Sequence, residues 1–100
     1  MNEKHTPVIG EKVTLVHYCG SATPYTVSWV NEKGTKCIIR ECALFFESPR
    51  YFDSYPDCIL DDVDGRQKIL YLNKRGSWSV SKDKYSYPSF GKWRYEPYTD

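Results

Sequence analysis

Apolar and polar residues alternate with period two along much of this chain, and a glycine or proline falls in almost every stretch of a dozen residues. Glycines stand at 10, 20, 34, 65, 76 and 91, and prolines at 7, 24, 49, 56, 88 and 97. A helix of ordinary length would have to cross these breakers, whereas short strands fit between them. Residues 12–18 predict a first strand, with Val13, Leu15 and His17 on one face and Thr14, Val16 and Tyr18 on the other. Residues 20–24 read as a loop because of Gly20 and Pro24. Residues 25–30 predict a second strand, whose face Tyr25, Val27, Trp29 is expected to pack inside. Residues 31–34 form a turn closed by Gly34, and residues 35–40 return as the hairpin partner.

The pattern then loosens. Residues 41–47 fit one short helical turn or a bulged strand equally well, and residues 48–56 read as a loop carrying Arg50, Tyr51, Phe52 and Tyr55. Strands are expected at 58–62 and 67–72, joined as a hairpin by Asp64-Gly65, the strongest short turn signal in the chain. A second turn at 73–76 leads to a strand at 77–81, with Trp78 expected in the core, and a short closing strand is expected near 93–95. Five or six short strands with hairpin links predict an all-β fold, a small, strongly bent antiparallel barrel. The domain is expected to span residues 10–95, with a flexible N-terminus at 1–9 and a tail at 96–100.

Composition sharpens this picture. One hundred residues hold one core and no separate catalytic lobe. With few aliphatic residues, the nine tyrosines and three tryptophans must supply much of the packing surface. No apolar run is long enough for a membrane span or a secretory leader, so the expected compartment is the cytoplasm. Cys19, Cys37, Cys42 and Cys58 would stay reduced there, and their spacing matches no common zinc pattern.

Chemistry is sparse. His17 and Cys19 stand two apart and would share a strand face, which permits a metal half-site or a nucleophile with its base, but small buried thiols beside a strand histidine are the commoner outcome of such a spacing. Asp57, Asp61, Asp62 and Asp64 could hold a divalent cation, but aspartates in a turn region are ordinarily turn-forming and solvated. No nucleophile elbow, phosphate loop or zinc-protease motif is present. The expectation is a protein without catalytic residues, metal or cofactor.

Charge is segregated. Residues 41–65 carry seven acids against Arg50 alone, and residues 66–95 carry eight bases against Asp83 alone, within a net charge of +1. These blocks could simply pair with each other across strands. Two functional surfaces are the alternatives. Arg50, Tyr51, Phe52, Asp53, Tyr55 and Asp57 form a candidate protein-docking patch, since Tyr and Arg commonly anchor interfaces and charge steers encounter. Lys82, Lys84, Tyr85, Lys92, Trp93, Arg94 and Tyr95 form a candidate nucleic-acid surface, where cations neutralise phosphates and flat rings stack on bases. Exposed strand edges would also permit a homodimer.

Several blocks resemble a known pattern. Gly10-Glu-Lys-Val-Thr-Leu-Val16, Tyr25-Thr-Val-Ser-Trp-Val30 and Thr35-Lys-Cys-Ile-Ile-Arg-Glu41 are similar to the opening of SH3-like (KOW/Tudor-type) barrels. Asp62-Val-Asp-Gly-Arg66, Lys74-Arg-Gly-Ser-Trp-Ser-Val80 and Gly91-Lys-Trp-Arg-Tyr95 extend the likeness to a family of small uncharacterised bacteriophage and prophage proteins. The likeness runs in order through residues 10–95 and departs at 41–57 and at Pro97. It implies a phage or prophage origin and a compact barrel. The function expected from all of this is a non-catalytic accessory protein that binds a host protein, such as a bacterial defence or nucleic-acid-processing factor, and inhibits it. The alternative is a module that binds or sequesters nucleic acid or a nucleotide.

Overall fold

The computed structural model describes residues 5–46 and 56–97. Among these the protein is all-β, with eight strands: β1 (Lys12–His17), β2 (Ala22–Val30), β3 (Lys36–Glu41), β4 (Ala43–Phe45), β5 (Cys58–Leu60), β6 (Gln67–Leu72), β7 (Trp78–Val80) and β8 (Ser86–Phe90). Six of them form one antiparallel sheet in the order β7-β6-β3-β2-β1-β8, and β4 and β5 form a separate ribbon. The large sheet curls until its two edges nearly meet. Trp78 of β7 and Phe90 of β8 touch edge to face across that seam, with centroids 6.0 Å apart.

The alternation in the sequence becomes the inside of this barrel. Val13, Leu15, Tyr25, Val27, Cys37, Ile39, Leu70, Trp78 and Val80 form the buried cluster, and Val30, Leu72 and Phe90 pack against it. Packing continues outside 10–95. The Trp78 indole N–H donates to the His5 carbonyl at 2.9 Å, the His5 ring stacks on Phe90, and Glu96 bridges to Ala22.

Four expectations need correction. Residues 41–47 hold no helical turn in the described part; β4 lies there and pairs with β5. The Asp64-Gly65 turn does not link a hairpin, because β5 pairs with β4 while β6 pairs with β3. What requires glycine at 65 is close approach: a Cβ there would run into the Glu41 carbonyl oxygen. The loop expected at 20–24 belongs largely to β2, which begins at Ala22 and includes Pro24. The β2–β3 register stops at Tyr25↔Glu41, so the missing Pro24 N–H breaks no rung of that ladder. The closing strand is Ser86–Phe90 rather than 93–95, and Pro88 is tolerated because β8 is an edge strand.

Trp29 is the fifth correction and the most consequential. The β2–β3 register shifts between Val27 and Trp29, a β-bulge at Ser28. Because side-chain direction alternates with every residue, one extra residue moves everything after it to the opposite face. Val30 therefore packs against the core and Trp29 stands 43% exposed. The bulged Ser28 donates its hydroxyl to the Ile38 carbonyl at 3.2 Å, which answers an acceptor beside the interrupted ladder.

Candidate functional site: the outer face of the barrel

The bulge places Trp29 directly opposite Ile38, and Ile38 lies directly opposite Ile69. These three side chains form a row across β2, β3 and β6 on the outside of the barrel. Ile69 is 40% exposed, and Tyr71, two residues along β6, is 44% exposed. Strands whose inner face already fills the core thus carry a second apolar face toward solvent, the arrangement that marks an interaction surface more than a single exposed residue does. Ile38 and Ile69 share a groove of about 420 Å³ with Gln67, Ser81 and Lys82. Tyr71 shares an adjoining one of about 380 Å³ with Ser79, Lys82, Asp83 and Lys84.

Lysines rim this face. Lys36 is exposed and stands opposite Tyr71 in the β3–β6 ladder. Lys82 lines both grooves and has φ 63°, the one non-glycine residue with positive φ among the described residues. A left-handed lysine costs about 1–2 kcal/mol relative to ordinary backbone. By contrast, the guanidinium of Arg40 is engaged, donating to both Asp61 carboxylate oxygens at 2.8 and 2.6 Å. That pair lowers the Asp61 pKa and raises that of Arg40, chiefly through the hydrogen bonds.

Of the residues expected to dock protein, Arg50, Tyr51, Phe52, Asp53 and Tyr55 lie outside the described residues. Asp57 is exposed and lines a cleft of about 490 Å³ together with Lys12, Cys58, Lys92 and Trp93. The structure thus brings one member of the first set next to two members of the second.

The seven residues of the expected nucleic-acid surface fall into two groups. Lys82, Lys84 and Tyr85 precede β8, and Lys92, Trp93, Arg94 and Tyr95 follow it. A five-residue strand separates them by about 16 Å. The second group is tied into the fold. The Thr14 hydroxyl donates to the Lys92 carbonyl and accepts from the Arg94 N–H, and the Trp93 indole N–H donates to the Tyr25 carbonyl at 2.8 Å. Lys12 lies over the Trp93 ring at 4.6 Å, and Arg94 pairs with Glu96 at 3.1 Å. Tyr95 is half-buried. This segment works as a strap across the end of β1 and β2.

The first group has neighbours that sequence reading did not join to it. The Tyr18 N–H donates to the Tyr85 carbonyl at 2.9 Å, and the Tyr18 and Tyr87 rings lie 5.6 Å apart at 39°. Asp83 accepts from the Tyr85 N–H at 2.8 Å, a bond that holds its pKa below the ordinary carboxylate value.

His17 and Cys19 do not form a pair. β1 ends at His17, whose ring nitrogens share hydrogen bonds with Ser86 Oγ at 2.6 Å and Thr23 Oγ1 at 3.2 Å. Cys19 lies in the following turn with its thiol beside the Ser21 hydroxyl, which lowers its pKa. All four cysteines are free, and burial pushes Cys37 up to about 11. Among the described residues no three His, Cys, Asp or Glu side chains are grouped to hold a metal ion, and no helix is long and apolar enough to cross a membrane.

Trp29, Ile38, Ile69, Tyr71 and Tyr18 were not singled out as binding residues by sequence reading. The bulge at Ser28 leaves no trace in an alternating pattern, and the cross-strand rows exist only once the register is known. Comparison with protein-family models, curated proteins and solved structures gives no match to this chain.

Proposed function

We propose that this protein is a non-catalytic binding module that docks on an acidic protein surface through the outer row Trp29, Ile38, Ile69 and Tyr71. The observation that carries the reading is the bulge-driven exposure of Trp29 in register with Ile38 and Ile69. Apolar anchors of this kind, especially Trp and Tyr, supply most of the energy of protein interfaces, and a charged rim sets partner choice. Lys36 and Lys82 at the rim favour a partner that places carboxylates around an apolar patch. A second copy of the chain would bring like charges together.

The resemblance of the sequence blocks to small phage proteins supports a host protein as that partner, a defence or nucleic-acid-processing factor inhibited by occupancy. The test is capture from bacterial lysate by wild-type protein and by Trp29→Ala and Ile69→Ala. An acidic protein retained by wild-type and lost from both variants, with their melting unchanged, is the expected result. Capture that survives both substitutions overturns the reading.

A further inference from the structure

A second surface lies where the β7–β8 turn meets the end of β1. Tyr18, Tyr85 and Tyr87 are 68%, 73% and 43% exposed there, so their rings serve packing little. Their backbone is nevertheless fixed. Tyr18 donates to the Tyr85 carbonyl, Asp83 caps the Tyr85 N–H, and β8 pairs with β1 at Val16↔Tyr87 and His17↔Ser86. Exposed rings on a rigid frame lose little entropy when something stacks on them.

The charge of the turn is sorted in the same way. Lys82 and Lys84 are exposed, whereas Asp83 between them is half-buried. The Asp83 carboxylate accepts from the Tyr85 N–H and feels the positive charge of Lys68. His17 is held by Ser86 and Thr23. The turn and the adjoining ends of β1 and β8 therefore carry two exposed lysines, which also border the groove beside Tyr71, and three exposed phenol rings.

We propose that this end of the barrel binds single-stranded nucleic acid, with bases stacked on Tyr18, Tyr85 and Tyr87 and phosphates neutralised by Lys82 and Lys84. Flat rings meet base faces only where bases are unpaired, which selects single strands over duplex. Every base offers a flat face to stack on a phenol ring, so binding tolerates sequence. Its stacking anchors are different side chains on different strands from the docking row, although Lys82 borders both surfaces.

The experiment is fluorescence anisotropy of a labelled oligothymidylate of about 10 nucleotides. Two neutralised phosphates give a salt slope near −1.4, so affinity should fall about sevenfold between about 50 and 200 mM salt. Each of Tyr18→Ala, Tyr85→Ala and Tyr87→Ala should weaken binding about 5- to 100-fold. Tyr85→Phe should bind like wild-type, since stacking needs the ring and not the hydroxyl. Lys82→Gln with Lys84→Gln should flatten the salt slope. Trp29→Ala should bind the oligonucleotide normally, which separates failure here from failure of the protein-docking reading. Absence of binding at the lowest salt overturns the inference, as does equal affinity for duplex of the same length. Unchanged affinity in all three alanine variants, or loss in Trp29→Ala, overturns it as well.

Discussion

Val27 and Ile39 lie opposite each other on the inside of β2 and β3, and Trp29 and Ile38 lie opposite each other on the outside. The two pairs share strands, neighbours and chemical type, yet the first is fully buried while Trp29 is 43% exposed. Only the bulge separates them. Apolar character therefore does not say what a side chain is for in this protein; the face it is turned to does. The inner row holds the barrel closed, and the outer row is left for something else to cover.

Substitutions can break this contrast, and the largest effect belongs to the inner row. Ile39→Ala should lose about 2–5 kcal/mol of stability in urea titration, the usual cost of emptying a buried aliphatic site. Ile69→Ala on the outer row should lose less than about 1 kcal/mol and instead abolish partner capture. Equal stability losses at the two positions would erase the distinction. Next in size is Gly65→Ala, whose methyl would meet the Glu41 carbonyl oxygen and should cost about 1–3 kcal/mol through forced backbone movement.

Lys82→Gly sharpens the contrast from the other side. Relief of the left-handed backbone should leave stability unchanged or raise it by about 1 kcal/mol, while the rim loses a cation and capture weakens. A stability loss would mean that the lysine serves the fold. The smallest effect is at Arg40. Its hydrogen bonds lower the Asp61 pKa, so their stabilisation is present above the unfolded carboxylate value of about 3.9 and is lost as pH falls through the lowered folded value. Arg40→Gln should thus be less stable than wild-type at neutral pH, and the gap should narrow on acidification. A gap that stays constant down to low pH would show that the ion pair is not its source.

Much of the barrel was legible in the residues. Period-two runs located β1, β3, β6 and β7 to within about two residues, and Val13, Leu15, Val27 and Trp78 are inside as their alternation requires. Misreadings arose where a local signal was outvoted. Pro24 and Pro88 argued against strands but sit where no ladder bond needs their missing N–H. Asp64-Gly65 signalled a hairpin, yet β6 found its partner in β3 and β5 in β4.

The candidate sites were less legible than the fold. The charged and aromatic content of residues 82–95 was visible, but not its division by β8, nor that Trp93 is tied to Tyr25 and covered by Lys12 while Tyr85 is joined to Tyr18. Contacts between residues far apart in the chain are decided by register, and register carries no local mark.

The sequence by itself determined an all-β chain: its breakers exclude long helices, and its alternation supplies an apolar face to bury. Which residues were left outside was decided only by tertiary structure. A single unpaired residue at Ser28 reverses Trp29 and Val30, the rest of β2, and a sheet that curls on itself makes neighbours of strands that no stretch of sequence places together.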